Sequence, residues 1–129
     1  MSNSTHEQPR ITFRENKDVR QEPGRKRRWF DAPDIELVVW YDSAVPQVEF
    51  QLIYRLPDGE RALTWRNRGG FNNCRVDQGD ESPFKNKTPI LHPDGAVPWP
   101  YLEELFRQRA ESLEPELRQH ILGRLLDRR

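Results

Sequence analysis

The sequence predicts an α+β fold: a four- or five-stranded antiparallel β-meander followed by two C-terminal α-helices. Three observations predict it. Between Trp29 and Leu91, apolar and polar residues alternate with the period of two that half-buried strands need. Turn-forming clusters separate the alternating runs. Beyond Pro93-Asp94-Gly95 the apolar spacing changes to three or four residues, the period of a helix packed on one side.

The elements follow in order. The first strand is read over residues 34–41 and the second over 48–55, where Val48, Phe50, Leu52 and Tyr54 share one face and Glu49, Gln51, Ile53 and Arg55 the other. Leu56-Pro57-Asp58-Gly59 carries Pro and Gly at turn positions and leads into a third strand over 60–66. Asn67-Arg68-Gly69-Gly70 turns the chain into a fourth strand around 73–77. Residues 78–87 read as a loop. Residues 88–92 offer a fifth strand, and Pro89, which cannot donate to a ladder, places it at an edge or starts it there. Leu102, Leu105, Phe106, Ala110 and Leu113 form the stripe of a first helix, with Pro100 suited to its first turn. Glu114-Pro115 separates it from a second, striped by Leu117, Ile121, Leu122, Leu125 and Leu126. Leu37, Leu52, Phe106 and Ile121 are expected in the core.

At 129 residues the chain suffices for one domain. Residues 1–27 are expected to form a flexible basic N-terminal tail, with residues 28–129 as a single α+β domain. In the tail only Ile11, Phe13 and Val19 are sizeable apolar groups after the first residue, too few to offset the entropy of ordering it. The exception is residues 10–14, which alternate like a strand and could add to a sheet edge, its own or a partner's. Residues 1–28 hold eight basic and four acidic side chains, so the remainder balances them in a chain of zero formal charge. A basic arm on a mildly acidic body suggests an interaction segment. Zero net charge disfavours, without excluding, a nucleic-acid-binding domain.

Cys74 is the only cysteine, so no disulfide forms within the chain. No run approaches the length of a membrane span, and the N-terminus lacks an apolar signal core. A soluble cytoplasmic protein is therefore expected.

Several short segments in fixed order carry a resemblance: Trp29-Phe30, residues 37–42, Phe50-Gln51-Leu52, residues 60–65, Gly70-Phe71, residues 75–79 and residues 87–91. Over residues 28–92 the chain resembles a group of small uncharacterised proteobacterial proteins. Members of that group tend to carry a histidine ahead of the valine–aspartate pair, where this chain has Asn73 and Cys74. The resemblance implies a bacterial origin and leaves the activity unassigned.

The sequence holds no catalytic motif, and no cofactor or metal is expected. Cys74 and His92 are the one pair resembling a nucleophile and base, but they lie on separate strands with no partner motif. Asp77, Asp80 and Glu81 around Gly79 lack the spacing of a calcium loop and read as a solvated turn. Arg66, Arg68, Gly69 and Gly70 make a cationic glycine turn that could cradle an anion, although a glycine-rich hairpin is the favoured reading. Alternation turns Val38, Trp40 and Ile53 away from the helices. Unless the tail, Trp29-Phe30 or the curl of the sheet covers them, these three, with the basic run Arg25, Lys26, Arg27 and Arg28, are the expected protein-binding surface. The function read from the sequence is a small non-enzymatic protein-binding or accessory module. The alternative is single-stranded nucleic-acid binding through the basic tail and exposed aromatics. An enzyme using Thr64, Asp77 or His92 has no motif in its favour.

Overall fold

The structure, a computed structural model, describes residues 11–21, 23–77, 90–93 and 96–128, with residues 77 and 90–93 described by their backbone alone. Seven strands run β1 (Arg14–Asn16), β2 (Lys26–Asp31), β3 (Ile35–Tyr41), β4 (Glu49–Leu56), β5 (Gly59–Arg66), β6 (Gly70–Asp77) and β7 (Ile90–Pro93). They form one sheet in sequence order, and every neighbouring pair is antiparallel. Helix α1 (Trp99–Arg109) leads through a single 3₁₀ turn to helix α2 (Pro115–Asp127). The α+β class and the meander agree with the sequence reading. The strand count does not: seven strands stand where four or five are expected, because β1 and β2 come from the segment around the expected tail boundary.

The register places Ile35, Leu37 and Val39 beside Tyr54, Leu52 and Phe50, and those beside Arg61, Leu63 and Trp65. This face carries the apolar half of the alternation, and both helices lie on it. Leu102, Leu105 and Phe106 of α1 and Leu117, Ile121 and Leu125 of α2 are buried in the same core. Leu37, Leu52, Phe106 and Ile121 are each fully buried, as the sequence predicts. Pro100 lies in the first turn of α1 and Pro115 opens α2, where a missing N–H costs nothing. At the β5–β6 hairpin, Gly69 and Gly70 have φ of +91° and +68°, a region that a Cβ disfavours.

The expected tail boundary at residue 28 falls inside β2. Residues 11–16 are also bound to the domain. Phe13 is 3% exposed and meets Phe30 and Phe106 with ring centroids 6.4 and 6.2 Å apart. Its N–H donates to the Arg109 carbonyl (2.8 Å), and its carbonyl accepts from Ser112 Oγ (2.7 Å). Arg109, at the end of α1, forks onto the Asp34 carboxylate at 3.0 and 2.8 Å and also donates to the Ile11 carbonyl. One buried aromatic ring with saturated backbone partners is enough to order a segment whose average composition reads as disordered.

We therefore expect Phe13→Ala to lower the unfolding free energy by about 3–5 kcal/mol, since it empties a ring-sized space beneath α1. Denaturant unfolding of the full chain checks this. A loss below about 1 kcal/mol would mean the segment is a tail after all.

Candidate functional site

Alternation splits the basic run Arg25–Arg28 between the two faces of the sheet. Arg25 and Arg27 lie on the face that carries no helix. Lys26 and Arg28 lie on the helix-bearing face, beyond the point where α2 covers it.

On the bare face, three rows of residues cross the sheet. Arg27, Trp40 and Glu49 form one, and Trp29, Val38, Gln51, Thr64 and Asn72 the next. Asp31, Glu36, Ile53, Ala62 and Cys74 form the third. The Arg25 guanidinium sits 5.1 Å from the Trp40 ring centroid and that of Arg27 sits 6.0 Å from Trp29. The Nε atoms of both arginines are buried without a hydrogen bond, shielded by these cation–π stacks. Glu36, Glu49 and Glu60 on this face are held by the protein's own donors. Glu49 takes Arg25 (3.3 Å) and the Asn67 N–H (3.0 Å), which also anchors the β5–β6 turn. Glu36 takes Arg55 (3.4 Å) and the Trp29 indole N–H (3.2 Å), and Glu60 takes Arg55 (3.1 Å). Gln51 donates to Thr64 Oγ1 at 2.9 Å.

The expected exposed patch of Val38, Trp40 and Ile53 is corrected here. All three turn away from the helices, but Val38 is only 3% exposed and Trp40 and Ile53 are half-buried. Val38 has Trp29 as its cross-strand neighbour and Trp40 two residues along its own strand, so large rings close over a small side chain. The exposed large apolar residues among the described ones, Ile11, Tyr101 and Leu126, lie off the sheet. Arg66 and Arg68 are exposed and make no ion pair among the described residues. With Gly69 and Gly70 they form the β5–β6 hairpin turn, which accounts for the glycines without an anion.

The helix-bearing face ends in a cleft of about 360 Å³ lined by Lys26, Arg28, Tyr41, Val48, Glu114, Glu116, Leu117 and His120. Arg28 ties four elements together there. It forks onto Glu15 of β1 (2.9 and 2.9 Å) and donates to Glu114 at the start of α2 (3.0 Å) and to the Tyr41 hydroxyl (3.2 Å). Its guanidinium lies 4.9 Å from the Phe30 ring centroid. These partners hold Arg28 charged well above its usual range, and Arg28 in turn holds the Glu15 carboxyl below its own. His120 shares a hydrogen bond of 2.7 Å between Nε2 and the Val48 carbonyl, and its ring stands edge-on to Phe50 and Trp65. Arg124 covers the Trp65 ring at 4.8 Å. Burial first, and the Arg124 charge with it, push His120 below the usual imidazole range against the pull of the Val48 carbonyl. The imidazole is therefore neutral at pH 7, with Nε2 carrying the hydrogen.

The remaining sequence candidates do not come together. Cys74 is buried, with its Sγ 3.7 Å from Asn72 Oδ1, and its register partner is Pro93; His92 pairs with Arg75. Thr64 is buried against Gln51. Gly79, Asp80 and Glu81 and the side chain of Asp77 lie outside the described residues, as does His6. Sequence reasoning missed the cleft, although the alternation of Lys26, Arg28 and Phe30 places both cations on the core side and could have suggested it. No helix among the described residues is long and apolar enough to cross a membrane, and no cluster of three metal-ligating side chains occurs among them.

No protein-family model matches the chain, and no curated protein or solved structure matches it either. The resemblance of residues 28–92 to small proteobacterial proteins gains no support from them.

The lowered pKa of His120 has a signed consequence. Below the ordinary imidazole value of about 6.5, the unfolded chain takes a proton that the folded chain resists. Stability from this group is complete above that value and falls as the pH drops toward the lower folded one. Glu15, Asp34 and Glu114 are also lowered, and their contribution is lost only at more acidic pH. We expect the unfolding free energy to fall between pH 7.5 and 5.5 and the slope to flatten in His120→Phe, which keeps an aromatic ring against Phe50 and Trp65. Equal slopes in the two proteins would contradict the assignment.

Proposed function

We propose that the chain is a small non-enzymatic protein-binding module whose docking surface is the bare face of the sheet, and that its partner presents an acidic segment there. Charge accounting carries the reading. Glu36, Glu49 and Glu60 are each held by the protein's own arginines. Arg14 and Arg66 make no ion pair among the described residues, and the Arg27 guanidinium donates to the Arg20 carbonyl and pairs with no carboxylate among them. Among the described residues, Asp31, across the strand pair from Arg14, opposes them. Such a face attracts carboxylates more than cations, and its half-buried indoles supply the rigid area on which interfaces concentrate their energy. The arginine on each indole keeps the rings from forming an adhesive apolar patch while no partner is bound.

The alternative, single-stranded nucleic acid, draws support from the same indoles and cations. Bases, however, stack on open rings. Here Arg25 and Arg27 already occupy one face each of Trp40 and Trp29, and a base stacking on those faces would have to displace a guanidinium.

The test compares two probes at matched length, a glutamate-rich peptide and oligothymidylate, titrated against the full chain. The peptide is expected to bind, more weakly at higher salt. Trp40→Ala should weaken it by about 2 kcal/mol, and Arg27→Glu with Arg66→Glu should abolish it while the melting temperature stays near that of the parent. Binding of oligothymidylate in preference to the peptide supports the alternative. Binding of neither, or a peptide affinity unmoved by these substitutions, removes this face from consideration.

A further inference from the structure

The cleft under the first turn of α2 lies on the opposite face from the docking surface and makes no use of it. We propose that it binds a small zwitterion with an apolar side chain, a free amino acid or a dipeptide. The inference rests on which groups in the cleft are already satisfied. Arg28, its strongest cation, is neutralised by Glu15 and Glu114 and is unavailable to a ligand. Two charges remain without an ion pair among the described residues: Lys26 on the sheet and Glu116 on the helix. Lys26 stands directly across the strand pair from Tyr41.

The neutral groups are half-committed in a complementary way. The Tyr41 oxygen accepts from Arg28, and its own hydrogen has no acceptor among the described residues. His120, neutral, gives its Nε2 hydrogen to the Val48 carbonyl, which leaves Nδ1 as an acceptor with no donor among them. Val48 and the buried Leu117 supply apolar surface in the same walls. A simple anion would use Lys26 and Tyr41 and be repelled by Glu116. A simple cation would use Glu116 and be repelled by Lys26. A zwitterion places its carboxylate with Lys26 and the Tyr41 hydroxyl, its ammonium with Glu116, and its side chain on Val48 and Leu117. The volume of about 360 Å³ is at the small end of ligand sites. A second hollow, under the β3–β4 connection, shares Tyr41 and Val48 with the cleft.

The experiment titrates the full chain calorimetrically with leucine, leucyl-leucine, N-acetyl-leucyl-leucine and leucyl-leucine amide. One or both free zwitterions bind, and comparing the two decides between amino acid and dipeptide. Blocking either end weakens binding about tenfold, the loss of one charge-assisted contact. Lys26→Gln weakens binding and removes the effect of amidation; Glu116→Gln weakens it and removes the effect of acetylation. Both side chains are exposed, so both variants keep the parent melting temperature. Equal binding of blocked and free peptides overturns the proposal. So does the absence of binding by either free zwitterion up to about 10 mM, with the fold intact.

Discussion

Apolar contact between two helices and a single face of the sheet is the interaction on which the rest of this structure depends. Tyr54, Phe50, Leu52, Leu37 and Leu63 are fully buried on that face, and Leu102, Phe106, Ile121 and Leu125 are fully buried against it. An antiparallel sheet can do without a second layer on its other face, and no helix among the described residues packs there, although Val38, Ala62, Thr64 and Cys74 are buried on it. The consequences run outward from that asymmetry. On that face the indoles of Trp29 and Trp40, each capped by an arginine, shield Val38. The helix-bearing face is longer than the helices that cover it, so its end becomes a cleft.

Two arginines fix the periphery to this core. Arg109 joins the end of α1 to Asp34 and to the segment around Phe13, and Arg28 joins β1, β3 and the start of α2. Both are largely shielded, and both carry a carboxylate in a two-pronged grip, the geometry in which an ion pair also specifies orientation. The N-terminal strand is thereby held by side chains distributed along the whole sequence. It contributes Glu15 to the cluster that organises the cleft, which links ordering of this segment to the shape of a candidate site.

Much of this was legible in the sequence, for identifiable reasons. Strands β3, β4 and β5 lie within one residue of their expected bounds, because each alternates cleanly and is bounded by Pro- or Gly-containing turns. Both helices were readable from their stripes. Strand β2 was not, because Lys26 and Arg28 occupy core-side positions that face the open cleft beside the start of α2, and their charge conceals the alternation with Phe30. Strand β1 is three residues long, and its attachment rests on Phe13 and on a helix end far along the chain, which no local pattern encodes. For Val38 the alternation gave the correct face and the wrong exposure. Strand period dictates direction, whereas coverage depends on the neighbours in register, and those are Trp29 and Trp40.

Neighbouring residues on one strand provide the most direct test of the two-faced architecture. Leu52 points into the core and is fully buried; Ile53, next in sequence, lies on the bare face opposite Glu36 and Ala62. Unfolding free energies of Leu52→Ala and Ile53→Ala, measured by denaturant titration under one set of conditions, read the asymmetry directly. A loss of about 3–5 kcal/mol for Leu52→Ala and about 1 kcal/mol for Ile53→Ala is the expected result. Comparable losses at both positions would mean that the second face is covered too, and would contradict the account.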